Sequence, residues 1–519
     1  MNYPVWDISM GTGMLMALVA IIHVFVSHFA VGSGLFLLVS EKKAYKDNDT
    51  HLLEWLKMHS RFFILISVVY GAVSGVGIWF TIGLISPSAT SMLIHTFVWA
   101  WATEWVFFFL EITSALLYYY GWDKLTRQTH LWLGWIYFIS AFMSMVIING
   151  IVAFMLTAGD WPDTQNFWDG FLNPTYGPSL AIRFVFSLAL AGIYAFVTAS
   201  RIDDPDVKAK IIKWANMWII PAFILLPFIA MWYIGNVPTA QWESALGAMP
   251  TATFYADLIM YAAIVTFVLA VLAWFMARRV SFVYSMVLLL SALATMWSFE
   301  YIREAIRKPY VIGRFMYANG LLESPSDTDG GFSVEKIDEK GILNTARWIK
   351  YDHITEENKV DVGREIFRVE CQSCHTVDHY RGIKNIIGAK KWDRGTIYKM
   401  LDGLDLMRNA VMPPFSGKDE EREALADWLA QVTSAPSQKQ EVSGDGAQVY
   451  NTYCNSCHNY KPHDALFRRL KSWNKEKTMA RLDSLPALFN RMPDLELSEK
   501  ERSTLIDWAK EQFNGEKGK

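Results

Sequence analysis

Two short strings near the C-terminal end, Cys371-Gln-Ser-Cys374-His375 and Cys454-Asn-Ser-Cys457-His458, use all four cysteines of a 519-residue chain. In C-x-x-C-H the two thiols add to the vinyl groups of a haem, and the adjacent histidine is held beneath the iron as an axial ligand. A dithiol redox pair or a zinc site also uses paired cysteines, but neither accounts for a histidine directly after both pairs. The pattern therefore predicts two covalently bound c haems, with His375 and His458 as iron ligands, and electron transfer as the chemistry.

Each iron needs a sixth ligand, and a thioether stabilises Fe(II) and raises the potential. Met412 in Val411-Met-Pro-Pro-Phe415 and Met492 in Arg491-Met-Pro493 each sit before a proline, where an extended loop presents the sulfur. Met400, Met407, His379 and His463 are the weaker alternatives. Helix-compatible runs precede each cysteine pair, at residues 362–370 and 447–453, and an amphipathic helix with a tryptophan closes each unit, at 420–432 and 498–513. This is an internal repeat of one small domain. Both copies resemble class I cytochrome c domains, expected at 344–433 and 444–519 with polar linkers at 321–343 and 434–443.

The rest of the chain is of another kind. Hydrophobic residues make up 52% of the sequence and charged residues only 19%, with most of the apolar excess before residue 310. Eight apolar segments there, near 10–40, 61–86, 91–119, 130–158, 178–200, 214–236, 252–277 and 280–300, approach the ~20 residues that cross a bilayer as a helix. The first has neither a short basic start nor a small-residue cleavage site, so it reads as a retained helix. The expected class is all-α: a polytopic membrane helix bundle over 1–320, then two small α-helical cytochrome c domains. A net charge of -3 offers nothing to nucleic acid.

Short cytoplasmic loops are enriched in Lys and Arg. Lys42, Lys43, Lys46, Lys57 and Arg61 follow the first segment, Lys124 and Arg127 the third, Arg201, Lys208, Lys210 and Lys213 the fifth, and Arg278 and Arg279 the seventh. The alternate loops, 86–90, 159–179 and 236–250, contain no Lys or Arg. The expected placement is a bacterial inner membrane, with the N-terminus and both haem c domains in the periplasm, where haem is attached to C-x-x-C-H.

Ionisable groups inside a membrane are costly and by default functional. His23 and His28 fall in the first segment, His59 near the second, and His95, Glu104 and Glu111 in the third. Arg183 opens the fifth, and Glu300-Tyr-Ile-Arg-Glu-Ala-Ile-Arg307 closes the eighth. A histidine and a carboxylate at one depth, His23 and Glu304, could ligate two haem irons, with Arg303 or Arg307 neutralising a propionate or the carboxylate. His130 and His51 are expected to be hydrogen-bonded core residues.

These residues resemble the large haem-bearing subunit of cytochrome bd oxygen reductases over roughly residues 10–320. Ile22-His-Val-Phe-Val-Ser-His-Phe-Ala-Val-Gly-Ser-Gly34 is similar to the first-helix motif, which implies His23 as an axial ligand at the di-haem oxygen site. Phe108-Phe-Leu-Glu-Ile-Thr113 through Gly121-Trp-Asp-Lys-Leu125 is similar to the third-helix motif, whose buried glutamate is here Glu111. Asn173-Pro174 and Arg183-Phe-Val185 resemble the start of the fifth helix. Arg303-Glu-Ala-Ile-Arg-Lys-Pro-Tyr310 resembles the family's Glu-x-Gly-Arg-Gln-Pro-Trp signature, implying Glu304 as the second haem ligand and Arg307 as its charge partner.

The departures are equally specific. The fifth-helix histidine that holds the family's low-spin b haem is replaced by Phe186, a nearby arginine by Leu258, and only the seventh-helix methionine survives, as Met260. The quinol-binding loop is reduced to 236–250, and Thr103 takes the first acidic position of the third helix, with Glu104 one residue, or about 100°, away. The resemblance implies two non-covalent haems of b or d type and a second membrane subunit like subunit II. The reading that follows is an oxygen reductase subunit. A soluble cytochrome c or other periplasmic carrier feeds it through the c haems, oxygen is the acceptor, and Glu111 with Glu104 carries protons. The alternative is a conduit that oxidises quinol and sends electrons outward without oxygen chemistry, with His28, His59 or His95 ligating further haems.

Overall fold

A computed structural model describes residues 6, 8–325, 333–346, 348–388, 392–405, 411–434, 445–450 and 498–514. Eight helices in it are long and apolar enough to cross a membrane. They are α1 (Thr12–Lys46), α2 (Thr50–Ile85), α3 (Val98–Gly121), α4 (Arg127–Phe154), α5 (Tyr176–Ala199), α6 (Pro205–Gly235), α7 (Pro250–Phe275) and α8 (Phe282–Arg307). The chain is a multi-pass membrane protein.

Side-chain caps set several of the starts. Asp49 accepts from Leu52 N at the head of α2, Thr126 from Thr129 N at α4, Asp204 from Asp206 N and Val207 N at α6, and Ser281 from Tyr284 N at α8. Lys42, Lys43 and Lys46 belong to the last turns of α1, where cations suit the helix dipole. Lys42 lies over Trp135, Lys43 over Trp214, Arg127 over Tyr45, Arg201 over Phe282 and Lys213 over Trp274. All five cation–aromatic pairs gather at the helix ends joined by the basic loops, the arrangement of an interfacial belt.

Two expectations shift at the third segment. Pro87 starts a separate helix, Pro87–Thr96, and the chain breaks at Phe97 before α3 begins at Val98. His95 therefore lies outside α3, its Nδ1 on Ser91 O at 2.7 Å. The alternate loops also carry short helices, Trp161–Thr164, Phe167–Phe171 and Thr239–Ala248. At one end of the bundle Phe97, Phe154, Trp161, Phe171 and Phe315 form a second apolar cluster. A small antiparallel pair, β1 (Tyr310–Ile312) and β2 (Met316–Tyr317), closes over it.

Gly13–Glu323 belongs to one compact unit and the chain from Ser324 onward to a second, which also takes in residues 7–12. In the second, α9 (Val334–Lys340) is followed by α10 (Lys359–Glu370), α11 (Arg394–Asp402) and α12 (Asp419–Val432), then α13 (Asp445–Val449) and α14 (Glu499–Asn514). The stretch expected to be a hydrated linker up to residue 343 is folded at both ends. Leu321 and Leu322 are buried in the first unit, and Ile337 and Ile342 in the second.

The repeat is visible as one packing device used twice. An added Cβ at Gly363 would fall 2.1 Å from Ala424 O, and one at Gly446 would fall 2.5 Å from Thr504 O. Bare glycine lets α10 cross α12, and α13 cross α14, at backbone contact. Four residues on, one helical turn, Phe367 packs on Trp428 (4.8 Å) and Tyr450 on Trp508 (5.3 Å).

Candidate functional site

The first C-x-x-C-H string follows directly from α10. Cys374 N and His375 N both donate to Cys371 O, at 3.0 and 2.9 Å, and this turn holds the imidazole beside two thiols that form no disulfide. His375 Nδ1 lies 3.1 Å from Arg381 O. A carbonyl only accepts, so Nδ1 carries the proton and Nε2 the lone pair, the tautomer of a metal-binding histidine. Thiols, imidazole and tautomer fit a covalently bound haem. Met412 is half-buried in the extended stretch before α12, whereas Met400 is buried within α11. Cys454, Cys457, His458, Met492, His463 and Met407 lie outside the described residues.

Charge at this unit is held by local pairs. Asp427 receives Arg394 Nε at 2.6 Å and Lys359 Nζ at 3.1 Å. Burial alone would raise its pKa, but the hydrogen bonds from Arg394 and Lys359 outweigh that and hold the carboxyl below its ordinary value. Glu421 is buried, and its carboxylate takes Leu343 N and Lys418 N, each at 2.8 Å.

In the membrane unit His23 faces α2. Leu65–Tyr70 is a π-helical turn, a feature common at functional sites. Ser74 Oγ donates to Tyr70 O at 2.8 Å, so its oxygen accepts from His23 Nδ1 at 2.9 Å. The lone pair is again on Nε2, as an iron ligand requires. Gly75 lies against this imidazole, an added Cβ falling 3.2 Å from His23 Cε1.

Glu104 and Glu111 are seven residues apart, two turns, and so share a face of α3. Ser144 Oγ donates to Glu104 at 2.7 Å, and Tyr137 Oη donates to Glu111 at 3.4 Å. Both glutamates are half-buried and face α4, while Thr103 is exposed and donates to Trp99 O. The one-residue offset thus puts the acid on the same stripe as Glu111.

The end of α8 is a ladder of charges three and four residues apart. Glu304 binds Arg307 and, at 2.9 Å, Lys308 Nζ. Its carboxylate keeps further lone pairs, so it retains the capacity to bind a metal. No hydrogen bond or ion pair joins His23 to Glu304 among the described residues. Arg303 is tied to Glu300 at 2.8 Å, and Glu300 also meets Arg183 at 3.2 Å.

Next to that trio lies a cavity of about 530 Å³ lined by His28, Arg183, Phe186, Phe223, Met260 and Phe267, among others. Met260 lines this cavity and is half exposed. His28, five residues or about 140° round α1 from His23, faces this cavity rather than α2. Gly32, one turn from His28, lets α1 press on α5, since an added Cβ would fall 1.8 Å from Ser187 O.

His130 is a satisfied core residue as expected, with Nδ1 on Glu41 at 2.8 Å and Nε2 on Tyr118 O at 2.8 Å. His51 instead is exposed at the start of α2. Sequence reasoning passed over Glu41, fully buried and also bonded to Tyr118 Oη at 2.7 Å, because it precedes a run of lysines at the end of α1. His59 is buried, bonded through Nδ1 to Thr198 Oγ1 at 2.9 Å and stacked on Trp55.

Residues 13–243 match the family model of cytochrome bd terminal oxidase subunit I. Residues 358–429 and 443–508 both match that of cytochrome c oxidase, cbb3-type, subunit III. The chain joins a cytochrome bd subunit I domain to two cytochrome c domains. The bd oxidase of Geobacillus thermodenitrificans shares its fold, with a TM-score of 0.51 at 15% identity, over 58% of this chain and 87% of that one. Among curated proteins none matches the sequence. Together the two kinds of domain make this a membrane respiratory electron-transfer protein and an oxidoreductase, with c haems implied by the one and b or d haems by the other.

Proposed function

We propose that the chain is the oxygen-reducing subunit of a terminal oxidase that takes electrons from a periplasmic carrier, a soluble cytochrome c or its equivalent, instead of quinol. The observation that carries this reading is the pairing of a bd subunit I domain having only 236–249 between α6 and α7 with two appended C-x-x-C-H units. Bound haem supplies one-electron carriers at the c units and an iron that takes oxygen in the membrane.

The chain's own residues have separable tasks. Cys371, Cys374 and His375, with Met412, hold one c haem; Cys454, Cys457 and His458, with Met492, hold the other. His23 and Glu304 would ligate the two membrane haems, and Arg307 with Lys308 pairs with the Glu304 carboxylate. Reduction of oxygen to water consumes protons, and Glu104 and Glu111 line one face of α3 to deliver them from the cytoplasmic side, with Ser144 and Tyr137 holding their carboxyls in place. A second membrane subunit like subunit II covers the site, and the complex lies in the bacterial inner membrane with its c domains in the periplasm.

Oxygen uptake by the purified complex tests this. Reduced cytochrome c should drive uptake, carbon monoxide should shift the reduced spectrum, and His23→Ala or Glu304→Ala should abolish uptake while the covalent c haems persist. If quinol alone reduces the complex and carbon monoxide changes nothing, the chain is an outward conduit and the proposal fails.

A further inference from the structure

We propose that Glu41 and His130 are the proton-loading end of the polar stripe between α3 and α4, a pair that takes a proton from the basic-loop end of the bundle and passes it towards Glu111. The inference rests on the proton-delivery role proposed above for Glu104 and Glu111 and extends it to a cluster left outside it. On α3, Tyr118 follows Glu104 and Glu111 at the same interval of seven residues, and on α4 Ser144, Tyr137 and His130 run back at that interval. Each residue meets its counterpart: Glu104 accepts from Ser144 at 2.7 Å, Glu111 lies 3.4 Å from Tyr137 Oη, and His130 Nε2 donates to Tyr118 O at 2.8 Å. Seven residues are two turns, about 10 Å, so the rungs stand in line across the bundle. α1 covers that line. Tyr137 Oη donates to Ala30 O at 3.0 Å, an added Cβ at Gly34 would fall 2.5 Å from Tyr137 Cε1, and Glu41 joins the last rung.

The hydrogen bonds of this last rung leave one proton free to move. His130 Nε2 faces a carbonyl, which only accepts, so Nε2 keeps its hydrogen. Tyr118 Oη donates to Glu41 Oε2 at 2.7 Å, and Glu41 Oε1 lies 2.8 Å from His130 Nδ1. A proton therefore lies between Oε1 and Nδ1. On Nδ1 it makes an imidazolium beside a carboxylate; on Oε1 it makes a neutral acid beside a neutral imidazole. Both forms keep every hydrogen bond and the same total charge. Once that proton leaves, lone pairs of Oε1 and Nδ1 face each other where Glu41 is 0% and His130 3% exposed. A buried charge without a partner is costly, so the pair must refill. Tyr45, one turn beyond Glu41 and half-buried, presents its hydroxyl to the Glu41 carboxylate, and Arg127 lies over the Tyr45 ring. Lys57 and Asp123 are paired with each other at the exposed edge.

Transfer breaks the O–H or N–H bond in the pair and forms an O–H bond on the Glu111 carboxylate, with no electron moved. The two turns between these rungs are a span that about three hydrogen-bonded waters cover. At the receiving end the Tyr137 hydroxyl can turn wholly to Ala30 O, and its oxygen then accepts from a protonated Glu111. A mere brace between α1, α3 and α4 needs no mobile proton. Glu41→Gln separates the two roles, because it keeps an acceptor for Tyr118 and supplies an N–H to His130 Nδ1 but has no proton to give.

Proton uptake during anaerobic reduction of the purified complex, followed with a pH-indicator dye in weak buffer, reads this step directly. In Glu41→Gln we expect uptake, and oxygen consumption with it, to slow by about tenfold or more. The haem removed by acid–acetone extraction and the covalent haem left on the chain should both be unchanged. Glu111→Gln should match it, and Tyr45→Phe should slow uptake less. Parental uptake and oxygen consumption in Glu41→Gln would overturn the proposal. So would slowing in Glu111→Gln alone, which would bring protons to the stripe by another way. If Glu41→Gln fails to assemble with its haems, Tyr45→Phe decides, and parental uptake there overturns the proposal. A parent complex that consumes no oxygen, yet takes up protons on reduction more slowly in Glu41→Gln, would sink the oxidase reading and leave this one standing.

Discussion

In the membrane unit Glu300 meets Arg183 from α5 and Arg303 from its own helix, and atoms of all three remain without hydrogen bonds. In the cytochrome c unit Glu421 takes two backbone N–H groups, and its neighbour Asp427 takes two cations at the solvent edge. One network is buried, joins α5 to α8 and leaves polar atoms of each member unpaired. The other joins α12 to Leu343, α10 and α11, and its carboxylates meet backbone N–H groups and cations. The first holds two cations on one buried carboxylate; the second holds a helix end and a fold. Mutation should therefore separate them by size of effect and by whether extractable haem falls.

Glu300 should give the largest effect. Removing it leaves two guanidiniums buried and uncompensated, and loss of one partner of a buried pair costs about 3–5 kcal/mol. We expect Glu300→Ala to lower the thermal unfolding midpoint of the detergent-solubilised complex and to reduce its extractable haem. An unchanged midpoint would mean that water reaches Arg183 and Arg303, and the contrast between the units would be lost.

What the sequence made legible follows the same division. The cytochrome c domains were readable because cysteines and histidine are contiguous and their spacing is itself the chemistry. The eight helices were readable because a bilayer demands long apolar runs. The side to which His28 points was not, because it depends on which way α1 faces, and Gly32 presses that helix on Ser187 far along the chain. The face that Glu104 occupies was not legible from register alone and comes from Ser144 on α4. The start of α3 and the folded ends of the linker were missed because Pro87 restarts a helix inside an apolar run and Ile337 hides in a polar one. Apart from the local break at Pro87, each miss is a tertiary contact overriding a local pattern.

Glu421 should come second. Its carboxylate is 2% exposed and satisfies Leu343 N and Lys418 N, so Glu421→Ala leaves donors unpaired at the start of α12. A donor stranded in this way costs about 1–3 kcal/mol. Chemical denaturation followed by the haem c absorbance should show the first cytochrome c domain destabilised by about that amount, with extractable haem unchanged. A parallel loss of membrane haem would erase the distinction between the two networks.

Asp427 should give the smallest effect, with a pH signature of its own. Its side chain is 25% exposed and Arg394 is 37% exposed, so solvent screening keeps the pair to about 1 kcal/mol or less. Its carboxyl is depressed in the folded state relative to an unfolded value of about 3.9. A depressed carboxyl contributes stability above the unfolded pKa, and that contribution is lost as pH falls through the folded pKa. Asp427→Asn should therefore be less stable than the parent near neutrality and converge with it in acid. A gap between the two that stays constant with pH would show that Arg394 and Lys359 hold Asp427 by hydrogen-bond geometry alone. The solvent-edge network would then resemble the Glu421 cap more than a set of ion pairs.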